Sequence, residues 1–155
     1  MSAVPVRSVP LGAAEVAVER RADGSILLRS PHALGAYPDR ITERLLHWAR
    51  EAPARSFVAQ RDGSGSWRHL GYAATLERVR AIGQGLLDRK LTAERPVVIL
   101  SDNDIEHALL ALACMHVGVP YAPVSSAYSL VSTDHARLRQ AMELLTPGLV
   151  FATSG

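Results

Sequence analysis

The sequence predicts an α/β fold in which β-hairpin segments precede part of a doubly wound parallel sheet with helices. Three observations carry this reading. Short apolar runs at Val97 to Leu100, Val119 to Val124 and Leu149 to Ala152 alternate with segments of helical period. Strands joined by helices run parallel, because a helix returns the chain to its starting edge. Upstream, Asp23-Gly24 and Asp62-Gly63-Ser64-Gly65 each lie between short segments that read as paired strands.

Taken in order, residues 1–12 carry Pro5 and Pro10 and no periodicity, and read as a leader. Val16 and Val18 alternate with polar neighbours, Asp23-Gly24 supplies a turn dipeptide, and Ile26 and Leu28 resume the period of two, which predicts a hairpin. Ser30 to Pro38 reads as a connecting loop. Asp39 is placed to cap a helix whose apolar positions are Ile41, Leu45, Trp48, Ala49 and Ala52, and Pro53 prevents its continuation. Ser56 to Gln60 and Trp67 to Leu70 predict a second hairpin around a flexible Asp62-Gly63-Ser64-Gly65 loop. A longer helix follows, with Leu76, Val79, Gly83, Leu86 and Leu87 on one side, Glu77, Arg78, Arg80 and Arg89 largely on the other, and its end near Lys90.

Within the final third, Ile105, Leu109, Leu112 and His116 recur at helical spacing in a segment apolar nearly all round, which predicts burial on more than one side. Leu138, Ala141, Met142 and Leu145 form a narrower stripe, with Arg137 and Arg139 turned outward and Pro147-Gly148 as the stop. Such a sheet places ligands at the carboxyl ends of its strands. Two polar segments fall there, Ser101-Asp102-Asn103-Asp104 and Ser125-Ser126-Ala127-Tyr128-Ser129.

Composition narrows the function classes. The chain has 155 residues, 48% apolar, and a formal charge of +2 whose arginines are scattered, which argues against a nucleic-acid partner. The start lacks the features of a signal peptide, and the most apolar stretch, Ala108 to Ala122, is interrupted by His116, Gly118 and Pro120 and is too short to span a bilayer. No membrane partner is expected. Cys114 stands alone, so an internal disulfide is excluded and a reducing, cytoplasmic location is expected. There is one lysine, Lys90, against sixteen arginines.

The candidate motifs mostly resolve into structural roles. Gly83-Gln84-Gly85 resembles the start of a dinucleotide fingerprint but lies inside a helix, where small residues serve close packing and backbone amides cannot converge on a pyrophosphate. Cys114 and His116 cannot act as nucleophile and base, because residues two apart on a helix point in different directions, and Cys114 reads as a core thiol. The six histidines, His32, His47, His69, His107, His116 and His135, contain no His-x-x-x-His pair, and no metal site is expected. Asp102 and Asp104 could pass for paired carboxylates, but Asp104 stands where the helix needs an N-cap. Ser125, Ser126, Tyr128 and Ser129 are read mainly as turn-forming loop, with ligand contact as the functional alternative.

Several segments resemble the AMP-forming acyl- and aryl-CoA synthetases of the adenylate-forming superfamily. Leu70-Gly71-Tyr72-Ala73-Ala74-Thr75-Leu76 is similar to that family's early Leu-Thr-Tyr-x-Glu-Leu segment, and Leu112 to Val124 to its helix-glycine-strand segment. A closer likeness, to feruloyl-CoA synthases, rests on Leu100 to Ala113, Pro120 to Ser132 and Leu144 to Ala152. The chain departs from the family pattern at Gly71, Ala74, Thr75 and Ser126.

The resemblance implies a leader over residues 1–12 and a partial N-terminal domain over 13–155. It implies an enzyme that joins ferulate or a related aromatic acid to CoA. The carboxylate attacks the α-phosphate of ATP with Mg present, giving an acyl-adenylate and pyrophosphate, and the CoA thiol then displaces AMP. That chemistry depends on a Ser/Thr/Gly-rich phosphate loop with lysine, a ribose-binding acid, a hinge and a C-terminal lysine, none of which this chain carries. The closing Ala152-Thr153-Ser154-Gly155 is not that loop, since in the family the loop comes later, and Lys90 has no matching motif around it. No catalytic residue is therefore assigned, substrate-binding residues stay unassigned, and the isolated chain is expected to be inactive. The alternatives are a synthetase for another carboxylic acid and a stand-alone α/β binding module.

Overall fold

The computed structural model describes residue 12 and residues 14–153, so the leader expected over 1–12 lies, apart from Gly12, outside the described residues, as do Ser154 and Gly155. The chain divides into two compact units, one up to Tyr37 and one from Pro38.

The first unit is a hairpin of β1 (Ala17–Arg20) and β2 (Ile26–Arg29), antiparallel with Val18 opposite Leu28. Asp23-Gly24 is not a two-residue turn. The Gly24 N–H donates to the Arg21 carbonyl at 3.0 Å and the Arg21 N–H to the Ser25 carbonyl at 2.9 Å, so a wider loop closes with Gly24 at φ +85°. That left-handed conformation is the reason for glycine there. The Asp23 carboxylate accepts from the Ser25 hydroxyl and N–H, which holds its pKa below the usual carboxylate value.

In the second unit, α1 spans Thr42–Glu51, later than an Asp39 cap requires, and no side chain caps it. Its inner face is carried by Thr42 and Leu45, while Ile41 is 66% exposed. The periodicity misplaced the face because Thr42, which a polar/apolar reading counts as polar, is buried whole at 2% exposure. Next come β3 (Ser56–Arg61) and β4 (Trp67–Gly71), antiparallel, with a bulge at Phe57 where two residues of β3 oppose one of β4. Their connection is tied down, contrary to the flexible loop expected. The Asp62 carboxylate accepts from the Ser64 N–H, the Ser64 hydroxyl and the Ser66 N–H at 2.9, 2.6 and 3.0 Å, and Gly65 takes φ +84°.

The helix α2 (Tyr72–Asp88) starts directly from β4, and the Thr75 hydroxyl donates to the Gly71 carbonyl at 2.8 Å. Its buried face is Thr75, Val79, Gly83 and Leu86. Leu87 is turned outward and 49% exposed, a correction to the expected stripe, because Thr75 fixes the face about one residue's rotation away.

The parallel sheet runs in the order β6-β5-β7, from β5 (Val97–Leu100), β6 (Tyr121–Pro123) and β7 (Leu149–Ala152). Val97, Val98 and Ile99 of the central strand are fully buried, as a strand covered on both faces should be. Between β5 and β6 lies α3 (Ile105–Val117), buried at Ile105, Leu109, Leu110, Ala111, Ala113 and Cys114, hence on more than one side, and packed on α2. β6 is shorter than the apolar run 119–124. Gly118 at φ +76° ends α3, and both the Gly118 and Val119 N–H groups return to the Cys114 carbonyl, so the first residue of the run closes the helix, while the Pro120 carbonyl already accepts from the Val97 N–H of β5.

Before β7 the chain makes α4 (Ala127–Leu130), in a stretch read as loop, and α5 (Ala136–Leu145). Leu138, Ala141, Met142 and Leu145 do share the inner side of α5 but are only half-buried, with Arg137 and Arg139 exposed. The chain thus leaves β5 to one side for β6 and then crosses to β7 on the other, and this reversal opens a crevice at the carboxyl ends of the strands.

Candidate functional site at the carboxyl edge of the parallel sheet

All three strands deliver residues to one cleft of about 220 Å³. Leu100, Ser101 and Asp102 come from the end of β5, Ser126, Ser129 and Leu130 from the segment after β6, and Ala152 and Thr153 from the end of β7. Asp102 and Ser126, one from each polar segment, meet directly, with the Ser126 hydroxyl donating to the Asp102 carboxylate at 2.6 Å. The Ser129 hydroxyl donates to the Ser126 carbonyl at 3.1 Å, so α4 holds both serines in place.

Ser101 is the buried polar residue of the cleft, and its hydroxyl lies 3.1 Å from His107 Nδ1. His107 reaches back from the first turn of α3. That turn is set by Asp104, whose carboxylate accepts from the His107 N–H at 2.6 Å. Asp104 is therefore an N-cap, and Asp102 and Asp104 are committed to different partners. The side chain of Gln60 adds a second cap from β3, accepting from the Ile105 N–H at 3.1 Å.

Ser125 and Tyr128 lie outside the cleft lining. The Arg137 guanidinium sits 5.8 Å from the Tyr128 ring centroid, and the Tyr128 carbonyl lies 3.4 Å from His135 Nδ1, so Tyr128 ties α4 to α5. Thr153, set aside in the sequence with the closing segment that is not the family's phosphate loop, also lines the cleft. The same strand-end rule, applied to β7, points to it.

Two other motifs have structural places. Gly83 lies inside α2, and a Cβ there would stand 2.9 Å from Val117 Cγ1, so the glycine serves helix contact. Cys114 is fully buried, and burial pushes its thiol up to about 11, the opposite of an activated nucleophile. Among the described residues no three His, Cys, Asp or Glu side chains gather as metal ligands.

The lining does not fit a nucleotide triphosphate. Among the described residues it contains one carboxylate and no cationic side chain, and Lys90 is exposed beyond the end of α2 at φ +54°.

Residues 45–154 match the family model for AMP-binding enzymes. The chain belongs to the AMP-binding enzyme family. A comparison with curated proteins gives no match. Among solved structures, it is similar to IdnL1 at 22% identity and a TM-score of 0.60, over 76% of this chain and 23% of that one. It is also similar to a fatty acyl-adenylate ligase from L. pneumophila in complex with acyl adenylate and pyrophosphate, at 13% identity and a TM-score of 0.63, over 73% of this chain and 19% of that one. A third likeness is to the Klebsiella oxytoca NpsA N-terminal subdomain in complex with 3-hydroxyanthranilyl-AMSN, at 16% identity and a TM-score of 0.60, over 74% of this chain and 27% of that one. These likenesses establish the fold. This AMP-binding family chain spans about a quarter of the length of such structures. No helix among its described residues is long and apolar enough to cross a membrane.

Proposed function

We propose that residues 13–155 form a partial N-terminal domain of an ATP-dependent aryl-CoA ligase of the feruloyl-CoA synthase type, acting on a small aromatic acid in the cytoplasm. The observation that carries this reading is the family match over residues 45–154 by a chain that spans only about a quarter of comparable adenylate-forming structures. The aryl-CoA assignment is supported by where the likeness to feruloyl-CoA synthases lies. Its segments Leu100 to Ala113, Pro120 to Ser132 and Leu144 to Ala152 supply almost the whole cleft lining.

In the complete enzyme ATP with Mg would activate the acid as an adenylate and CoA would take it over. The residues here contribute a different part: Asp104 and Gln60 fix the start of α3, His107 then reaches Ser101, and Ser126 joins the two polar segments through Asp102. None of them is a lysine or an arginine that could pair with a phosphate. Pyrophosphate release from ATP plus ferulate should therefore stay at background for the 155-residue chain. The polypeptide encoded by the complete reading frame, given ferulate, benzoate and a fatty acid in parallel, should turn over ferulate fastest. Turnover by the isolated chain would end the partial-domain reading. A longer enzyme that prefers the fatty acid would overturn the aryl assignment while leaving the family intact.

A further inference from the structure

Both tryptophans of the chain are at the surface, Trp48 37% and Trp67 55% exposed, and each lies under an arginine. The Arg55 guanidinium is 5.9 Å from the Trp48 ring centroid and that of Arg61 is 5.1 Å from the Trp67 ring centroid, both within cation–π range. Tyr72 packs between Trp48 and Phe57, with ring centroids 6.2 and 5.0 Å away. The bulge turns Phe57 to the same side as Ser56, whose hydroxyl lies 2.9 Å from His69 Nδ1, and the His69 ring is 6.4 Å from Trp67. One outer face of β3 and β4 and the adjoining surface of α1 and α2 thus form a continuous aromatic and cationic patch.

Two features give this patch a direction. Aromatic residues and arginine are the side chains that concentrate binding energy in protein interfaces, and buried packing is where such residues ordinarily go. Moreover, no ion pair engages Arg55 or Arg61 among the described residues, and the nearest acid in sequence to Arg61, Asp62, is committed to its own turn. A guanidinium stacked on a ring keeps its in-plane N–H groups free for a carboxylate.

We infer that this patch docks an acidic, aromatic-bearing segment of a partner protein, its carboxylates on Arg55 and Arg61 and its rings against Trp48, Phe57 and Trp67. A single-stranded nucleic acid fits less well. Base stacking needs open ring faces, whereas Trp48 and Trp67 each already carry a guanidinium and Tyr72 is wedged between two rings. Scattered arginines and a net charge of +2 also offer little counterion release.

Because both tryptophans belong to the patch, the fluorescence of the unmodified chain reports on it directly. The test titrates the full chain with three probes: a peptide of alternating glutamate and phenylalanine, the same peptide with lysine for glutamate, and oligo-dT. The acidic peptide should change tryptophan emission and bind below about 1 mM, while the lysine peptide should not bind. Arg61→Ala and Arg55→Ala should each weaken binding by about tenfold, the step of one lost charged contact. Circular dichroism should show both variants folded, since the two side chains are exposed. Arg20→Ala, in the other unit, should leave binding unchanged. Failure of the acidic peptide to bind, equal binding of the lysine peptide, preferential binding of oligo-dT, indifference to both arginine substitutions, or binding to the 155-residue chain but not to the polypeptide of the complete reading frame, whose remainder would then cover the patch, would each overturn the proposal.

Discussion

Replacing Gly83 by alanine sets two effects of opposite sign against each other where α2 meets α3. In an exposed helix interior the change stabilises by about 1 kcal/mol, because glycine has more backbone entropy to lose. At position 83 the added methyl would stand 2.9 Å from Val117 Cγ1. Carbon atoms pack at about 3.5–4.0 Å, so Val117 has to retreat by roughly 0.6–1 Å. Val117 is the last residue of α3 and β-branched, which leaves it few rotamers in which to do so. Overpacking of this kind costs about 1–3 kcal/mol. Set against the propensity gain, the net expectation is a loss of about 1 kcal/mol, or roughly 3 °C in Tm for a chain of this size. Urea unfolding followed by far-UV circular dichroism of the parent, Gly83→Ala, Val117→Ala and the double variant measures the coupling. Without the valine methyls, the Gly83→Ala step should become stabilising, with a coupling energy of about 1–2 kcal/mol across the cycle. A Gly83→Ala variant stabilised by about 1 kcal/mol with Val117 in place, or a coupling near zero, would refute the close helix contact.

Asp104→Ala removes the cap on α3 and should cost about 1 kcal/mol in the same unfolding assay, while Asp104→Asn should keep most of the stability. Cys114 should resist a thiol reagent in the folded chain and react fully in urea. Its thiol is raised to about 11 when folded, from 9.0 as its ordinary value. The unfolded thiol therefore loses its proton first, and this contribution to stability is intact below pH 9.0 and lost as pH rises through about 11. Comparing alkaline unfolding of the parent with Cys114→Ala tests that sign, since the variant should lose less stability over the interval. Arg68 and Glu106 form a 2.8 Å ion pair between β4 and α3, but both side chains are nearly half exposed. Glu106→Gln should cost under about 1 kcal/mol, and less again at high salt.

How much of this was legible in the sequence depended on the range of the interactions involved. The limits of β5 follow from an apolar run that the sheet buries almost entirely, so local pattern and tertiary outcome coincide, and β7 keeps the limits of its own apolar run although Val150 is 47% exposed. The inner face of α1 was misplaced because Thr42 counts as polar although the residue is buried. The four-residue α4 gives no periodicity to detect, being shorter than the repeat that would reveal it. At the site, the carboxyl edge could be foreseen because the rule that ligands sit there needs only strand order. The contact between Asp102 and Ser126 could not, since residues 24 apart meet only once β5 and β6 are paired in register.

The cleft poses a chemical question that the arginines answer. A chain with sixteen of them could in principle place a guanidinium on a phosphate without any lysine. Several are committed to local partners or placed outside the cleft. Arg68 holds Glu106, and Arg55 and Arg61 lie on tryptophans outside the cleft lining. Arg89 donates to the Gly85 carbonyl and Arg95 to the Pro147 carbonyl, at 2.8 and 2.9 Å. Arg50 and Arg80 line the groove between α1 and α2, and Arg80 also one between α2 and α3, but neither lines the strand-end cleft. The topology thus supplies a place for a ligand, while the charge on that place is that of one carboxylate already holding a serine hydroxyl. Phosphate chemistry at this edge needs cations from polypeptide other than the residues that line it. On the reading proposed above, those cations would come from the rest of the longer enzyme.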